Sequence, residues 1–334
     1  MFSFSASVMV AVTMDSLPLT MNCLQVIIPL VKTYLGTWQT SPSDGFWTDQ
    51  SIADSEAVLS AAVKSGIFCF DTAQSYGKGQ AEQTLAKILR RFPDKAHFFV
   101  IDTKIMPSAR PAEEVLKVSL NRLKPFSVDC LYLHWPRSGF DNPDYLRQME
   151  ALKEQGYFRK LGVCNAPLQM LRGFVASGLR IDRLQRPVSL LWTSELEETK
   201  TFCAENGIEL AAYSPTGMGL LSGNYRNSSD LKDARKDLFC FDEKCIGAYH
   251  ELLDLIAQVA KNNGLLCSSV ARKWTESTNP DIVILGARNV KQLEENLDSS
   301  FELSPSELSD LTAASAVLNK ARASVCENIF SYNW

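Results

Sequence analysis

Eight short β-type runs, separated by stretches of helical character, limit the folds open to this chain more than any other feature. The runs are Tyr34–Thr37, Ile67–Asp71, Phe98–Thr103, Val128–His134, Lys160–Cys164, Arg183–Gln185, Ile208–Tyr213 and Ile282–Leu285. Eight parallel strands alternating with helices close into a barrel, for which ~250 residues suffice. The 334 residues, 46% hydrophobic and 22% charged, allow one large α/β domain with a substantial core. We read a single (β/α)8 TIM barrel over residues 33–334.

The intervening segments carry helix punctuation. Ser55–Lys64 stops at Gly66, Asp144–Gln155 at Gly156, Leu168–Ala176 at Gly178 and Glu195–Glu205 at Asn206–Gly207. Pro111–Leu123 opens with proline and two glutamates, and Gln80–Arg90 repeats apolar residues on one face. Asn289–Leu297 and Ser306–Arg322 follow the last run, and a helix is predicted near Tyr249. The long interval from Tyr213 to that helix reads as an extended loop over the barrel mouth. A doubly wound sheet would show G-x-G-x-x-G after the first strand, where the chain has only LGTWQ.

Residues 1–32 fit this pattern poorly. MFSFSASVMVAV is apolar, but no basic residue precedes Lys32, and Asp15 and two prolines interrupt it short of a membrane span. We read an atypical extension, loosely packed or the product of a start assigned too early, and expect no membrane association. A net charge of −4 without a basic stripe argues against nucleic acid as partner. Nine cysteines at irregular spacings, with no C-x-x-C pair, read as reduced thiols of a cytoplasmic protein. Only three histidines occur, too few for the converging ligands of a metal-dependent barrel hydrolase, so no metal is expected.

Four residues at the ends of consecutive runs make chemical sense as a unit: Asp71 and Tyr76 in FDTAQSYGKGQAE, Lys104 in FVIDTKIMP and His134 in LYLHWP. Reducing a carbonyl by hydride transfer leaves charge developing on oxygen, so a proton donor and a stabilising group are needed. A tyrosine with pKa about 10 holds its proton tightly, and a neighbouring Lys⁺ lowers that value. Asp71 would keep Lys104 charged, and a neutral His134 would donate to the substrate oxygen. His97 and His250 read as structural or surface residues.

These motifs, together with LGVCNAP, AAYSPTGMGLLSG and ILGARNVKQLEENL, fall in the order found in aldo-keto reductases, and the chain resembles that family from Leu35 to Leu297. The resemblance implies a reductase of aldehydes or ketones using NADPH/NADP+, with Tyr76 as general acid, Lys104 and Asp71 tuning it and His134 orienting the carbonyl. It implies that Asn165 and Gln185 bind the nicotinamide carboxamide and that Tyr213 stacks on the ring. Ser214, Pro215, Gly217, Gly219 and Leu220 would wrap the pyrophosphate, with Gly36, Thr37 and Trp38 at the first strand's end. Arg288, Gln292, Glu295 and Asn296 would hold the adenosine end, Arg288 pairing with a 2′-phosphate. Tyr76 and His134 would face a small-molecule carbonyl substrate, with Trp38, Trp135, Trp192 and the Leu220–Gly247 loop as its aromatic wall; equally, the tryptophans simply fill the barrel rim.

Three departures stand out. Cys164 replaces the usual serine before Asn165, Asn224 replaces a common lysine after the glycine loop, and the amino-terminal hairpin of the family is not recognisable. The resemblance also covers potassium-channel β subunits, which keep the nucleotide and the four residues while serving as partners of another protein. A monomer or weak oligomer is expected.

Overall fold

The computed structural model describes residues 31–41, 45–298 and 300–325. All but the last two residues of the expected extension over 1–32, and the place of the missing hairpin, fall outside them. Strands β1 (Lys32–Gly36), β2 (Cys69–Asp71), β3 (Val100–Ile105), β4 (Val128–Leu133), β5 (Phe158–Cys164), β6 (Arg183–Pro187), β7 (Glu209–Tyr213) and β8 (Ile282–Gly286) form a closed parallel barrel in sequence order. Pairing of β1 with β8, Tyr34 opposite Ile284, closes it.

Helices α1 (Ile52–Lys64), α2 (Gln80–Leu89), α3 (Ala112–Leu123), α4 (Asn142–Glu154), α5 (Leu168–Ala176) and α6 (Leu196–Glu205) each follow one strand. Two helices, α7 (Ile246–Asn263) and α8 (Cys267–Ser277), separate β7 from β8, and α9 (Val290–Leu297) and α10 (Pro305–Arg322) complete the ring. Among the described residues no helix is long and apolar enough to cross a membrane.

Several boundaries differ from the expected ones for local reasons. Ser51 accepts from Asp54 N and starts α1 three residues early, and Asp141 accepts from Asp144 N and starts α4 two residues early. Ser304 and Glu307 form a reciprocal cap that starts α10 at Pro305. Ile67, expected in a strand, donates instead to Ala62 O at the end of α1, so β2 begins at Cys69. Phe98 closes a 3-10 turn over Pro93–Phe98, which shifts β3 to Val100–Ile105 and places Lys104 inside the strand. Helix α8 was not anticipated; its sequence, CSSVARKWTES, has no glycine stop and mixes polar with apolar residues.

Most of the core lies between the barrel and the helices. Val58, Leu59, Leu85, Ile88, Leu116, Leu146, Leu171, Leu252 and Ile256 pack there against outward strand residues. Burying each such side chain contributes about 1.5–3 kcal/mol. The barrel interior is different, because one side is apolar, built from Tyr34, Ala211, Ile282 and Ile284, and the other holds charge. There Arg183 Nη1 donates to Asp102 Oδ2 at 2.6 Å and Nη2 lies 2.7 Å from Glu209 Oε2. Cys130 N and the Tyr132 hydroxyl also donate to Asp102, at 3.1 and 3.2 Å. The seven described cysteines are free thiols, in line with the expectation of reduced residues.

Candidate active site

All four residues singled out at strand ends gather at the carboxyl-terminal mouth. Asp71 is the last residue of β2, Lys104 the penultimate one of β3, and His134 the first beyond β4. Lys104 Nζ donates to Asp71 Oδ2 at 2.6 Å, to Thr72 O at 2.8 Å and to Tyr76 Oη at 3.2 Å. The Tyr76 and His134 rings meet edge to face with centroids 5.7 Å apart. Such a cluster fits around a single small group.

The loop carrying Tyr76 is held from outside. Arg122 of α3 donates to Gln74 O and Lys78 O, and Gln74 Nε2 donates to Val115 O and Ser119 Oγ. Gly79, at φ 97°, allows this: a Cβ there would lie 2.1 Å from the Arg122 guanidinium carbon. Thr103 and Arg122 both donate to buried Glu82, joining β3, α2 and α3 beneath the loop.

Burial governs the electrostatics. It pushes the Tyr76 phenol above its ordinary value, while Lys104 pulls the other way without overcoming it. The expectation that Lys104 would leave the phenol lowered is thus corrected: the lysine offsets part of a larger desolvation cost. Burial also opposes the charge on Lys104, but Asp71 and Tyr76 together outweigh it and the ammonium is held above its usual range. For His134, burial and the nearby Lys104 charge act in one direction and hold the imidazole well below its ordinary value. The ring is therefore neutral near pH 7. Its Nδ1 lies 3.4 Å from Ser75 Oγ.

Beside this cluster lies a second, made of amides. Gln185 Nε2 donates to Asp71 Oδ1 at 2.7 Å, and Asn165 Nδ2 donates to His134 O at 3.1 Å. The Tyr213 hydroxyl donates to Asn165 Oδ1 at 2.7 Å. Of the three residues proposed from the sequence for a nicotinamide ring, Gln185 and Asn165 therefore touch Asp71 and His134, and Tyr213 joins them through Asn165. Cys164 sits between the amides, its Sγ 3.5 Å from Gln185 Oε1 and 3.2 Å from Asn165 Nδ2.

The remaining mouth residues suit a dinucleotide. Thr37 Oγ1, Gln39 Oε1 and Thr72 Oγ1, buried near the ends of β1 and β2, have no hydrogen-bond partner among the described residues. Gly217 and Gly219, at φ 58° and 85°, curve the segment Ser214–Leu220 after β7, and beside Gly219 a Cβ would meet nothing closer than 3.5 Å. Exposed backbone at such a turn can approach phosphate. Gly36 pairs with Gly286 across the β1–β8 seam, and the Gln39 side-chain amide packs onto Gly286, where a Cβ would lie 2.0 Å from Gln39 Nε2. Arg288 N donates to Gln292 Oε1 at 2.9 Å, and Asn296 Nδ2 donates to Gly286 O, so this segment folds against β8, with Glu295 on the same helix. The Arg288 guanidinium, read from the sequence as a phosphate partner, donates to Asp49 Oδ1 at 2.6 Å.

Aromatic side chains border the cluster. The Trp38 ring centroid lies 6.2 Å from Tyr76, 5.0 Å from Phe46 and 5.4 Å from Trp47, and Trp135 lies 6.1 Å from His134. Trp192 is buried in the main hydrophobic cluster. The loop after Leu220 is a series of 3-10 turns tied down by Tyr249, whose hydroxyl lies 2.9 Å from Leu220 O and 2.7 Å from Tyr225 O.

Sequence reasoning missed Arg235. Its guanidinium pairs with Asp233 at 2.8 Å, donates to Met218 O at 2.9 Å, and lies 4.9 Å from the Trp47 ring and 5.1 Å from the Tyr225 ring. A buried cation thus sits against the glycine segment, where the common lysine is replaced by Asn224. No motif flags it, because its position depends on how the loop folds back.

Known proteins resemble this chain over most of its length. A family model described as the aldo/keto reductase family matches residues 32–316. A chloroplastic pyridoxal reductase from Arabidopsis thaliana is 28% identical, covering 88% of this chain and 85% of its own length. The aldo-keto reductase YhdN of Bacillus subtilis is 26% identical over 78% of this chain and 82% of its own. A probable voltage-gated potassium channel subunit beta from Arabidopsis thaliana is 25% identical over 78% and 85%. The solved glycerol dehydrogenase of Gluconobacter oxydans superposes with a TM-score of 0.72 at 23% identity, covering 89% of this chain and 94% of that one.

Proposed function

The chain belongs to the aldo/keto reductase family, and from that premise we propose that it reduces the carbonyl of an aldehyde or ketone to an alcohol with NADPH. Membership makes it an oxidoreductase of this type; the cofactor, the residue roles and the substrate are our reading. The single observation that carries it is the contact of Lys104 Nζ with both Asp71 and Tyr76 Oη beside a neutral His134.

A nicotinamide cofactor, when bound, supplies hydride to the carbonyl carbon. Everything else falls to side chains. Lys104 donates to Tyr76 Oη, so the phenol's own O–H is left to point at the substrate oxygen. Tyr76 gives up that proton as charge develops on the oxygen, and Lys104 stabilises the resulting phenolate. Neutral His134 donates to the same oxygen and orients it. Asp71 keeps Lys104 charged throughout. Asn165 and Gln185 would hold the carboxamide, Tyr213 the ring, Ser214–Leu220 the pyrophosphate and Arg288 the 2′-phosphate. Trp38 and Trp135 favour apolar carbonyl compounds at the mouth.

The test is NADPH oxidation over a panel of aldehydes and ketones, with Tyr76→Phe alongside. Steady turnover by the natural chain, lost in the variant while nucleotide still binds, is the expected result. Undiminished turnover in Tyr76→Phe would refute the proton donor. The likeness to a potassium channel β subunit supports a second reading, in which the same site binds nucleotide for a partner protein. Tight nucleotide binding without turnover on any carbonyl would favour that role.

A further inference from the structure

Cys164 is buried, with 1% of its surface exposed, and its thiol touches both amides of the proposed cofactor site. We propose that Cys164 is a positioning residue: its thiol holds Asn165 and Gln185 in one polarity, so that together they accept a carboxamide and reject a carboxylate. The inference rests on the nicotinamide reading above and adds to it what this chain's departure from serine does.

The direction of every hydrogen bond in this cluster follows from groups that can only accept. Asp71 Oδ1 is a carboxylate oxygen, so the Gln185 atom 2.7 Å away is its nitrogen, and Gln185 Oε1 must face Cys164. His134 O is a carbonyl, so the Asn165 atom 3.1 Å away is its nitrogen, and Asn165 Oδ1 must face the Tyr213 hydroxyl. The thiol is then left with one arrangement. It donates S–H to Gln185 Oε1 and accepts N–H from Asn165 Nδ2. Burial pushes the thiol pKa up, which keeps that proton in place.

This fixes what the pair has left to offer a ligand. Both N–H groups of Asn165 are spent, one on His134 O and one on Cys164 Sγ, so Asn165 presents only an acceptor. Gln185 has spent one N–H on Asp71 and keeps the other as a donor. One acceptor beside one donor matches a carboxamide, whose NH₂ donates and whose C=O accepts. A carboxylate has no donor to meet Asn165 Oδ1, and lone pair would face lone pair. Removing the thiol releases one Asn165 N–H and strips Gln185 Oε1 of its donor, loosening both amides.

Equilibrium titration of the purified protein, followed by tryptophan fluorescence, tests this with two probes: NADP+ and its analogue bearing a carboxylate in place of the carboxamide. The natural chain should bind the carboxylate analogue about tenfold or more weakly, as expected where a buried acceptor loses its donor. In Cys164→Ala this ratio should shrink several-fold, with NADP+ itself bound about tenfold more weakly. Cys164→Ser, whose hydroxyl both donates and accepts, should restore the ratio. If Ser and Ala shift the ratio equally, sulfur volume and not polarity is at work and the proposal falls. If neither variant changes the ratio, the proposal falls while the nicotinamide reading stands. Failure of the natural chain to bind NADP+ at all would overturn both.

Discussion

Gln185 Nε2 and Asp71 Oδ1 meet at 2.7 Å, while the other oxygen of that carboxylate holds Lys104 at 2.6 Å. One buried carboxylate therefore serves both halves of the site, the proton-transfer group and the amides assigned to the cofactor. Burying it would be costly without two such partners.

Asp71→Asn separates these duties. An asparagine has one acceptor oxygen, which can face Lys104 or Gln185 but not both. The expected outcome is a fall in the hydride-transfer rate of about 100-fold, the scale of a lost acid-base contribution. Nucleotide affinity should weaken in the same variant. Single-turnover stopped-flow and equilibrium titration measure the two separately, and a variant that lost only one of them would show that the carboxylate is not shared in function.

His134 makes stability depend on pH. Burial holds its imidazole well below the ordinary value, with Lys104 adding to the effect, so the folded chain takes up a proton less readily than the unfolded one. The folded state then binds fewer protons below the unfolded pKa of about 6.5, and stability rises with pH through that window. The contribution is fully present above about pH 6.5 and lost as pH falls, by up to about 1.4 kcal/mol per unit. Burial raises the Asp102 carboxyl to about 7, which acts in the opposite sense over the same range. The difference between the urea-unfolding slopes of the natural chain and His134→Gln between pH 5 and 8 therefore reads the histidine's share, and the variant should lose stability less steeply as pH falls.

Arg288 is expected to set the choice of nucleotide. Its contact with Asp49 is largely exposed on the carboxylate side, so breaking that pair costs at most about 1 kcal/mol. A 2′-phosphate offers a stronger, bidentate partner. Asp49→Asn should therefore tighten NADPH a few-fold and leave NADH unchanged, whereas Arg288→Gln should lower the preference for NADPH by about tenfold or more. Dissociation constants for both nucleotides at two salt concentrations decide it, and equal loss for both would remove Arg288 from 2′-phosphate recognition.

The four mouth residues were legible because each follows a short apolar run, and a barrel puts every strand's carboxyl end at one mouth. Eight runs and glycine-stopped helices were enough for the fold. Helix α8 was not, since CSSVARKWTES lacks both a clean apolar stripe and a stop signal. Cys164 could be seen as a departure, but its contact with Gln185 depends on β5–β6 register, which pairs Cys164 with Gln185. Arg235 was invisible for a related reason: loop folding, not strand order, brings it under Met218. Asp102 stood in plain view two positions before Lys104, yet nothing in FVIDTKIMP names a partner on β6.

That partner supplies the last prediction. Arg183 and Asp102, 2% and 1% exposed in their side chains, meet at 2.6 Å inside the barrel, one layer below Lys104 and Gln185 on the same strands. Arg183→Met leaves Asp102 with Cys130 N and the Tyr132 hydroxyl but no counter-charge, and should cost about 3–5 kcal/mol. Asp102→Asn should cost less, because Arg183 keeps Glu209 at the half-buried edge of the layer. The double variant removes both charges and should be more stable than the Arg183→Met single, since a well-packed neutral pair avoids desolvation altogether. Urea midpoints of the three variants measure this. Strictly additive losses would mean that Glu209, and not Asp102, is the partner that matters to Arg183.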